Sequence, residues 1–314
     1  MLKTIFFGTP SVAVPFLEEL NKISQIILVV TQSDKPSGRG LEIKPCPVKK
    51  RALELGLKTV SPEKFKDIVP DIAALNADLG IAVAYGKIFR KPALEAIRLG
   101  IINIHFSILP KYRGAAPVQH ALFNGETKTG ISAFWIDEGL DTGLIAAQTP
   151  VDILPQDNAD TLFEKLLATG VSTLNGVIKD VESGKIIKIP QQGEPCLAPM
   201  IEKQDTVLNF AQMSAAKIHN LIRGLSCGMP AHAKANTPDG GQVQLLKTSL
   251  KPLPIAKQGK PGSIVYVERG VGFFVQCYKD VLFIETLRPA GKNTMTAWAY
   301  CNGRKLGEGS VVFN

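Results

Sequence analysis

What this 314-residue chain lacks excludes several classes of protein. No apolar run approaches the roughly 20 residues that cross a bilayer, so no membrane association is expected. Ile26–Val30 is typical of the longest such runs. The opening Met1-Leu2-Lys3-Thr4-Ile5 has no apolar leader core and no small-residue cleavage site, so no secretory signal is expected. Cysteine is scarce and odd in number (Cys46, Cys196, Cys227, Cys277, Cys301), with no CxxC spacing. Neither a disulfide framework nor a zinc cluster is therefore expected, and a reducing cytoplasm is the simplest compartment. Four histidines (His105, His120, His219, His232) form no HxxxH or HExxH pattern, so no metal is expected. Gly8-Thr9-Pro10 follows an apolar run but lacks the GxGxxG spacing of a dinucleotide site. No GxSxG elbow occurs.

What is present is ordinary globular composition, 45% hydrophobic and 20% charged, which excludes disorder. The length exceeds the roughly 250–300 residues at which one core stops growing, so two domains are expected. Charge divides them. Residues 206–314 hold 13 of the 36 basic side chains but only 5 of the 28 acidic ones, so the whole net charge of +8 falls there. A dispersed basic surface suits a polyanion, nucleic acid above all, although plain solubility accounts for it too.

The first half alternates short β-rich runs with helical patterns. Strands are expected at Lys3–Phe7, Ile26–Thr31, Leu79–Ala84, Gly100–His105, Gly130–Trp135 and Leu144–Val151. Helices are expected at Ser11–Lys22, Pro47–Leu55, Lys91–Leu99, Ala116–Asn124 and Asn158–Asp180. That order predicts an α/β, Rossmann-like, mostly parallel sheet ending in an antiparallel hairpin around Asp137–Thr142. Pro190, Gly193, Pro195 and Pro199 punctuate an irregular stretch. The expected organisation is an α/β domain over 1–189, a linker over 190–205 and a basic domain over 206–314. In that last part a helix at Ser214–Leu225 precedes five or six short strands, which predicts a small β-barrel.

Chemistry concentrates between Gly100 and Gly143. Asn103 and His105 sit two apart on a strand and so share a face, where polar side chains are costly unless satisfied or used. Ser107-Ile108-Leu109-Pro110-Lys111-Tyr112-Arg113-Gly114 follows at the strand's carboxyl end, where open α/β sheets bind ligands. Asp137-Glu138-Gly139-Leu140-Asp141 adds acid to a Gly-bearing turn. An Asn, a His and an Asp converging there can stabilise an oxyanion, donate a proton and orient the imidazole. No nucleophile accompanies them, which favours direct attack by a substrate group.

Asn103-Ile104-His105, the Ser107–Gly114 run and Asp141 together resemble the signature of the folate-dependent formyltransferases. The resemblance extends to Gly8-Thr9-Pro10, to residues 31–40, to Ala84-Tyr85-Gly86-Lys87-Ile88 and to the basic C-terminal part. Within the family it is similar to members that formylate methionyl initiator tRNA. It implies transfer of a formyl group from 10-formyltetrahydrofolate, as co-substrate, to the α-amine of that tRNA in translation initiation. The implied catalytic residues are Asn103, His105 and Asp141, with a cationic His105 joining Asn103 on the oxyanion. Folate binding is implied for Ser107, Ile108, Leu109 and Pro110, with the Tyr85–Ile88 run (Tyr85, Gly86 and Ile88 above all) and the Asp137–Asp141 loop, led by Asp137, on the pterin side. A tRNA-contacting loop is implied at Asp34–Lys44, carrying Lys35, Arg39 and Lys44, and the OB-like C-terminal barrel adds Lys247 and Lys251. A monomer is the expectation.

Three places depart from the family pattern: Phe106 replaces a smaller residue, Leu225–Pro230 lacks an aromatic and an Asn, and Met200 stands where a Lys is usual. The rival readings are a formyltransferase for a small amine, a nucleic-acid module on an inactive scaffold and, more distantly, a nicotinamide oxidoreductase.

Overall fold

Apolar stretches that are buried on both faces set the first sheet. The computed structural model describes residues 1–34, 36–37, 42–236 and 241–313, with the side chains of residues 36, 37, 42 and 43 outside that description. β1 (Lys3–Gly8) leads through a short 3₁₀ turn into α1 (Val14–Ile23), which has Pro in its first turn, where no amide hydrogen is missed. β2 (Gln25–Val30) follows, then the two-residue strands β3 (Pro36–Ser37) and β4 (Glu42–Ile43), which pair antiparallel. α2 (Pro47–Glu54), β5 (Thr59–Val60) and α3 (Val69–Ala74) lead to β6 (Leu79–Val83), which is buried throughout. α4 (Lys91–Glu95) and β7 (Ile101–His105) complete the parallel part. After α5 (Pro117–Phe123), β8 (Lys128–Trp135) and β9 (Ile145–Asp152) add an antiparallel hairpin, and α6 (Ala159–Glu182) follows.

The strand order is β5-β2-β1-β6-β7-β8-β9, parallel up to β7 and antiparallel beyond it. This is the Rossmann-like arrangement the alternation predicts. β6 and β7 end side by side, with Ala82 opposite Asn103, and their carboxyl ends bound a crevice.

The chain divides into two compact units. One comprises Met1–Pro117, Lys128–Asp152 and Glu164–Pro199; the other comprises Val118–Thr127, Ile153–Phe163 and the chain from Met200 onward. The Pro-rich stretch after α6, expected as a linker, is bonded to the first unit along much of its length. Ile189 exchanges backbone hydrogen bonds with Ile145, the Trp135 indole donates to the Ile187 carbonyl, and Ala198 N donates to the Arg113 carbonyl at 2.7 Å.

In the second unit, α7 (Ala215–Gly224) is capped by Ser214, whose hydroxyl accepts from Lys217 N. An antiparallel sheet follows in the order β10-β11-β14-β13-β12, made of β10 (His232–Lys234), β11 (Gln242–Ser249), β12 (Ile264–Glu268), β13 (Gly272–Gln276) and β14 (Val281–Pro289). β15 (Met295–Thr296) pairs with β14 and feeds α8 (Ala297–Gly303). The terminal segment then closes the barrel. Phe313 bridges to Ala235 beside β10, and Val311 bridges to Ser263 beside β12, so both edge strands find partners. Inside, Phe210 stacks on Phe313 at 5.0 Å among Phe273, Ile284, Leu287 and Ile218.

Candidate active site

Period-two geometry on β7 puts Asn103 and His105 on one face, opposite Phe134 and Ser132 of β8. Both line a cavity of about 540 Å³ in the first unit, a size suited to a small organic ligand. Its wall comes from the turn after β6 (Ala84–Phe89), from Phe106, Ala115 and Pro117 after β7, and from Ile136–Asp141 after β8.

His105 is only 6% exposed. Its Nε2 lies 2.9 Å from the Tyr112 carbonyl oxygen, and its Nδ1 lies 3.7 Å from Asp141 Oδ2. A carbonyl only accepts, which assigns the hydrogen of the neutral ring to Nε2 and leaves the Nδ1 lone pair on the Asp141 side. Burial pushes the imidazole pKa below its ordinary 6.5, and the opposing pulls of the Asp141 charge and the Tyr112 carbonyl do not outweigh it. The resting ring is therefore neutral. Its orientation comes from Tyr112, since 3.7 Å is too long for a hydrogen bond to Asp141.

Tyr112 and Asp141 both carry positive φ, 62° and 51°, a region that non-glycine residues occupy at a cost. The loops that hold them are tied together. Asp141 Oδ2 accepts from Gly114 N at 2.8 Å. Gly114 has a φ of 123°, and a Cβ there would sit 2.7 Å from the Ala198 carbonyl oxygen.

The expected folate segment has another place. Among the described residues lining the cavity, Ser107, Ile108, Leu109 and Pro110 do not appear. Their polar groups are consumed locally. Ser107 Oγ donates to the Lys111 carbonyl at 2.6 Å, Leu109 N donates to Ser132 Oγ, and Ser132 Oγ donates to the Ser107 carbonyl. Gln148 Nε2 donates to the Leu109 carbonyl at 2.9 Å. This turn carries the chain to Tyr112 and sets its carbonyl against His105.

Tyr85, Gly86, Ile88 and Asp137 do line the cavity. Tyr85 is also a core residue, packed on Phe7, Phe65 and Phe89, and burial pushes its phenol well above its ordinary pKa. Its carbonyl accepts from Gln32 Nε2 at 2.6 Å, the same amide that a Cβ at Gly86 would strike. Asp137 Oδ1 accepts from Gly139 N and from Thr142 Oγ1, which shapes the acidic turn. Phe106 forms part of the wall and meets Phe16 edge-on at 6.1 Å. Leu140, 61% exposed, and Ile88, 80% exposed, are apolar side chains on the same lining. Phe89 and Ile136 join this lining without having been singled out by the sequence, because their only signal is apolarity beside polar turns.

Gly8-Thr9-Pro10 has a structural task, since Thr9 Oγ1 accepts from Gln32 N. Lys35 and Arg39 lie outside the described residues, and Lys44 is exposed. In the second unit Lys247 pairs with Glu285 at 2.7 Å, and Lys251 pairs with Glu268 at 2.5 Å while covering the Phe283 ring. Lys257 pairs with Glu308. The exposed Lys234, Lys260, Arg269 and Lys292 have no acidic partner among the described residues. Among the described residues no group of three or more His, Cys, Asp or Glu could hold a metal ion.

The family model described as Formyl transferase matches residues 2–178, and that of the Formyl transferase C-terminal domain matches residues 200–305. The chain is 49% identical to the methionyl-tRNA formyltransferase of Elusimicrobium minutum, covering 99% of this chain and all of the relative. It is 42% identical to the same enzyme of Thermodesulfovibrio yellowstonii, covering 99% and 98%. Among solved structures it resembles an N-formyltransferase from Helicobacter canadensis in complex with folinic acid and dTDP-3-aminofucose. There the TM-score is 0.65 at 20% identity, covering 91% of this chain and 99% of that one. HypX from Aquifex aeolicus in complex with tetrahydrofolic acid aligns with a TM-score of 0.61 at 14% identity, over 96% of this chain and 47% of that one. At such identities the two structures speak for the fold alone.

Proposed function

This chain belongs to the formyl transferase family, and on that footing we propose that it moves the formyl group of 10-formyltetrahydrofolate onto the α-amine of methionyl initiator tRNA. The observation that carries the reading is the His105 ring, held neutral and buried beside Asn103 with Nδ1 toward Asp141, at the wall of a ligand-sized cavity. The cavity fits the donor: apolar Ile88, Phe89, Phe106 and Ile136 offer surface for a flat heterocycle, and the polar trio lines the same space. The folate supplies an electrophilic formyl carbon.

The rest of the chemistry falls to the protein. An α-amine, with a pKa near ~8, has a substantial neutral fraction at neutral pH and can attack without prior activation. The Asn103 amide donates a hydrogen bond where negative charge builds on the formyl oxygen; one such donor is worth roughly 3–4 kcal/mol in other enzymes. His105 Nδ1 takes the proton the amine sheds. The imidazolium so formed is stabilised by the Asp141 carboxylate and by the Tyr112 carbonyl on Nε2–H. As the tetrahedral adduct collapses, the bond between the formyl carbon and N10 of the folate breaks, and the imidazolium returns its proton to the departing N10, which leaves tetrahydrofolate, the formylated amine and a neutral His105.

We assign this chemistry to the α/β part over 1–189, and tRNA attraction to the basic part over 206–314 with the Asp34–Lys44 loop. Within the basic part, paired Lys247 and Lys251 cancel locally, so the long-range field comes from cations with no acidic partner among the described residues, such as Lys234, Lys260, Arg269 and Lys292. The decisive assay offers 10-formyltetrahydrofolate with methionyl initiator tRNA, methionyl elongator tRNA or free methionine. Formylation of the initiator species, lost in His105→Ala, is expected. Equal turnover of free methionine would sink the tRNA assignment.

A further inference from the structure

Gln191 lies in the irregular stretch after α6, and its side chain joins the two loops that frame His105. The amide nitrogen donates to the carbonyl oxygens of Asp141 at 2.8 Å and of Gly143 at 2.9 Å. Its Oε1 accepts from Arg113 Nη2 at 2.6 Å. Both amide hydrogens thus pin the two ends of the Asp141-Thr142-Gly143 turn, while the amide oxygen holds the residue between Tyr112 and Gly114. Those neighbours supply the carbonyl on His105 Nε2 and the N–H on the Asp141 carboxylate.

The turn needs such a restraint. Asp141 sits at φ 51°, a conformation that persists only where its surroundings over-determine it. At Gly143 the backbone is so close that a Cβ would overlap the Trp135 carbonyl oxygen, so the turn has little room to settle elsewhere. Around Gln191 the same stretch repeats the attachment through its backbone, with Arg113 N donating to the Cys196 carbonyl and Ala198 N to the Arg113 carbonyl.

We propose that Gln191 is a positioning residue for formyl transfer, a clamp that sets the distance between the Asp141 carboxylate and the His105 imidazole without touching substrate. The proposal rests on the catalytic roles of Asn103, His105 and Asp141. Loss of the clamp frees the Asp141 turn, and the carboxylate drifts from the ring whose cationic form it stabilises. The other ionisable groups lining the cavity with His105 are Asp137, Glu138, Lys87 and Tyr85, whereas the Gln191 amide is committed to Arg113 and to the Asp141 and Gly143 carbonyls.

The test compares Gln191→Ala and Gln191→Met with wild type and with His105→Ala, in full-length protein. Steady-state kinetics with charged initiator tRNA and NMR titration of the His105 ring are measured on each. The expected result is a kcat lower by about tenfold, KM for 10-formyltetrahydrofolate within about threefold, and a His105 midpoint moved to lower pH. Gln191→Met keeps the length of the side chain without its hydrogen bonds, and should lose kcat similarly while folding normally. Gln191 variants with wild-type kcat and an unmoved His105 titration, beside an inactive His105→Ala, would overturn the clamp alone. Retained activity in His105→Ala would instead overturn the catalytic reading beneath it. Loss of fold in both variants would also count against a positioning role, since it would make Gln191 structural.

Discussion

The imidazole of His105 is gripped by the Tyr112 carbonyl at 2.9 Å and only faced by the Asp141 carboxylate at 3.7 Å. Orientation and charge stabilisation are thus divided between two loops. One fixes which nitrogen carries the hydrogen, and the other waits for the cation. A buried neutral ring so arranged is a base at rest, and its conjugate acid is favoured only when a proton arrives.

That division predicts the behaviour of the ring itself. With four histidines in the chain, the imidazole resonances can be assigned individually. The His105 midpoint should lie below 6.5, because burial dominates, and Asp141→Asn should lower it further by removing the charge that opposes burial. A midpoint at or above 6.5 in the wild-type protein would refute the neutral resting state.

Catalysis should be lost at each member of the trio. Asn103→Ala, His105→Ala and Asp141→Ala are each expected to lower kcat by about 10² or more, on the usual worth of oxyanion donors and acid–base groups. Tetrahydrofolate affinity, measured by calorimetry, should change by far less.

Gly114→Ala is expected to be harmful in two readouts. The φ of 123° and the Ala198 carbonyl 2.7 Å from the new Cβ leave no unstrained solution. Stability should fall by about 2 kcal/mol or more in urea unfolding. In whatever folds, kcat should fall as well, because the Gly114 N–H on Asp141 moves with the backbone. Normal stability would show that the loop relaxes freely.

Acid should weaken the fold, and the sign follows from two histidines. Burial lowers His105, and it lowers His219 to about 4, with Arg223 adding to the effect and Glu285 opposing it. Both bind protons more readily unfolded than folded. The stability they contribute is complete above about 6.5, the unfolded value, and is lost as pH falls through the interval down to the depressed folded values. Tm should therefore drop as pH goes from about 7 toward about 4, and His219→Gln should flatten that dependence. A Tm that rises on acidification would contradict the assignment.

Charge in the basic part should sort by pairing. Replacing Lys234, Lys260 and Lys292 together by Ala should weaken tRNA binding and flatten the slope of log K against log salt, by up to about one unit for each phosphate no longer neutralised. Lys247→Ala should act mainly through the negative charge it uncovers on Glu285, its partner in the folded protein. An unchanged salt slope in the triple variant would remove these cations from the binding surface. Arg39→Ala, in the loop outside the described residues, is expected to impair tRNA formylation at unchanged folate affinity.

The sheet was readable because its strands are buried on both faces and so appear as unbroken apolar runs; β1, β6 and β7 fall where those runs do. α4 stops at Glu95, short of the expected Leu99, because Arg98 N and Leu99 N turn to the carbonyls of Ala77 and Asp78 and abandon the helix. α8 went unread. Ala297–Gly303 is too short to show a period, and its marker was the Thr296 hydroxyl accepting from Ala299 N. In the site, shared-face spacing identified Asn103 and His105, but spacing has no way to tell a side chain that lines a cavity from one that braces its wall. Ser107–Pro110 are bonded to Lys111, Ser132 and Gln148 and do not line the cavity. Gln191 was invisible for the opposite reason: it is distant in sequence, amid prolines that read as loose chain.

The attachment of residues 187–199 to the first unit also fixes where the protein can be recombined. An exchange of the basic barrel for another domain, joined at residue 190, would discard the Gln191 amide, the Cys196 carbonyl and the Ala198 backbone along with it. The hybrid would inherit the three polar residues with their frame unlatched. A seam placed after Pro199 keeps the latch with the chemistry it serves, so the natural point of modular exchange is the carboxyl end of the proline-rich stretch.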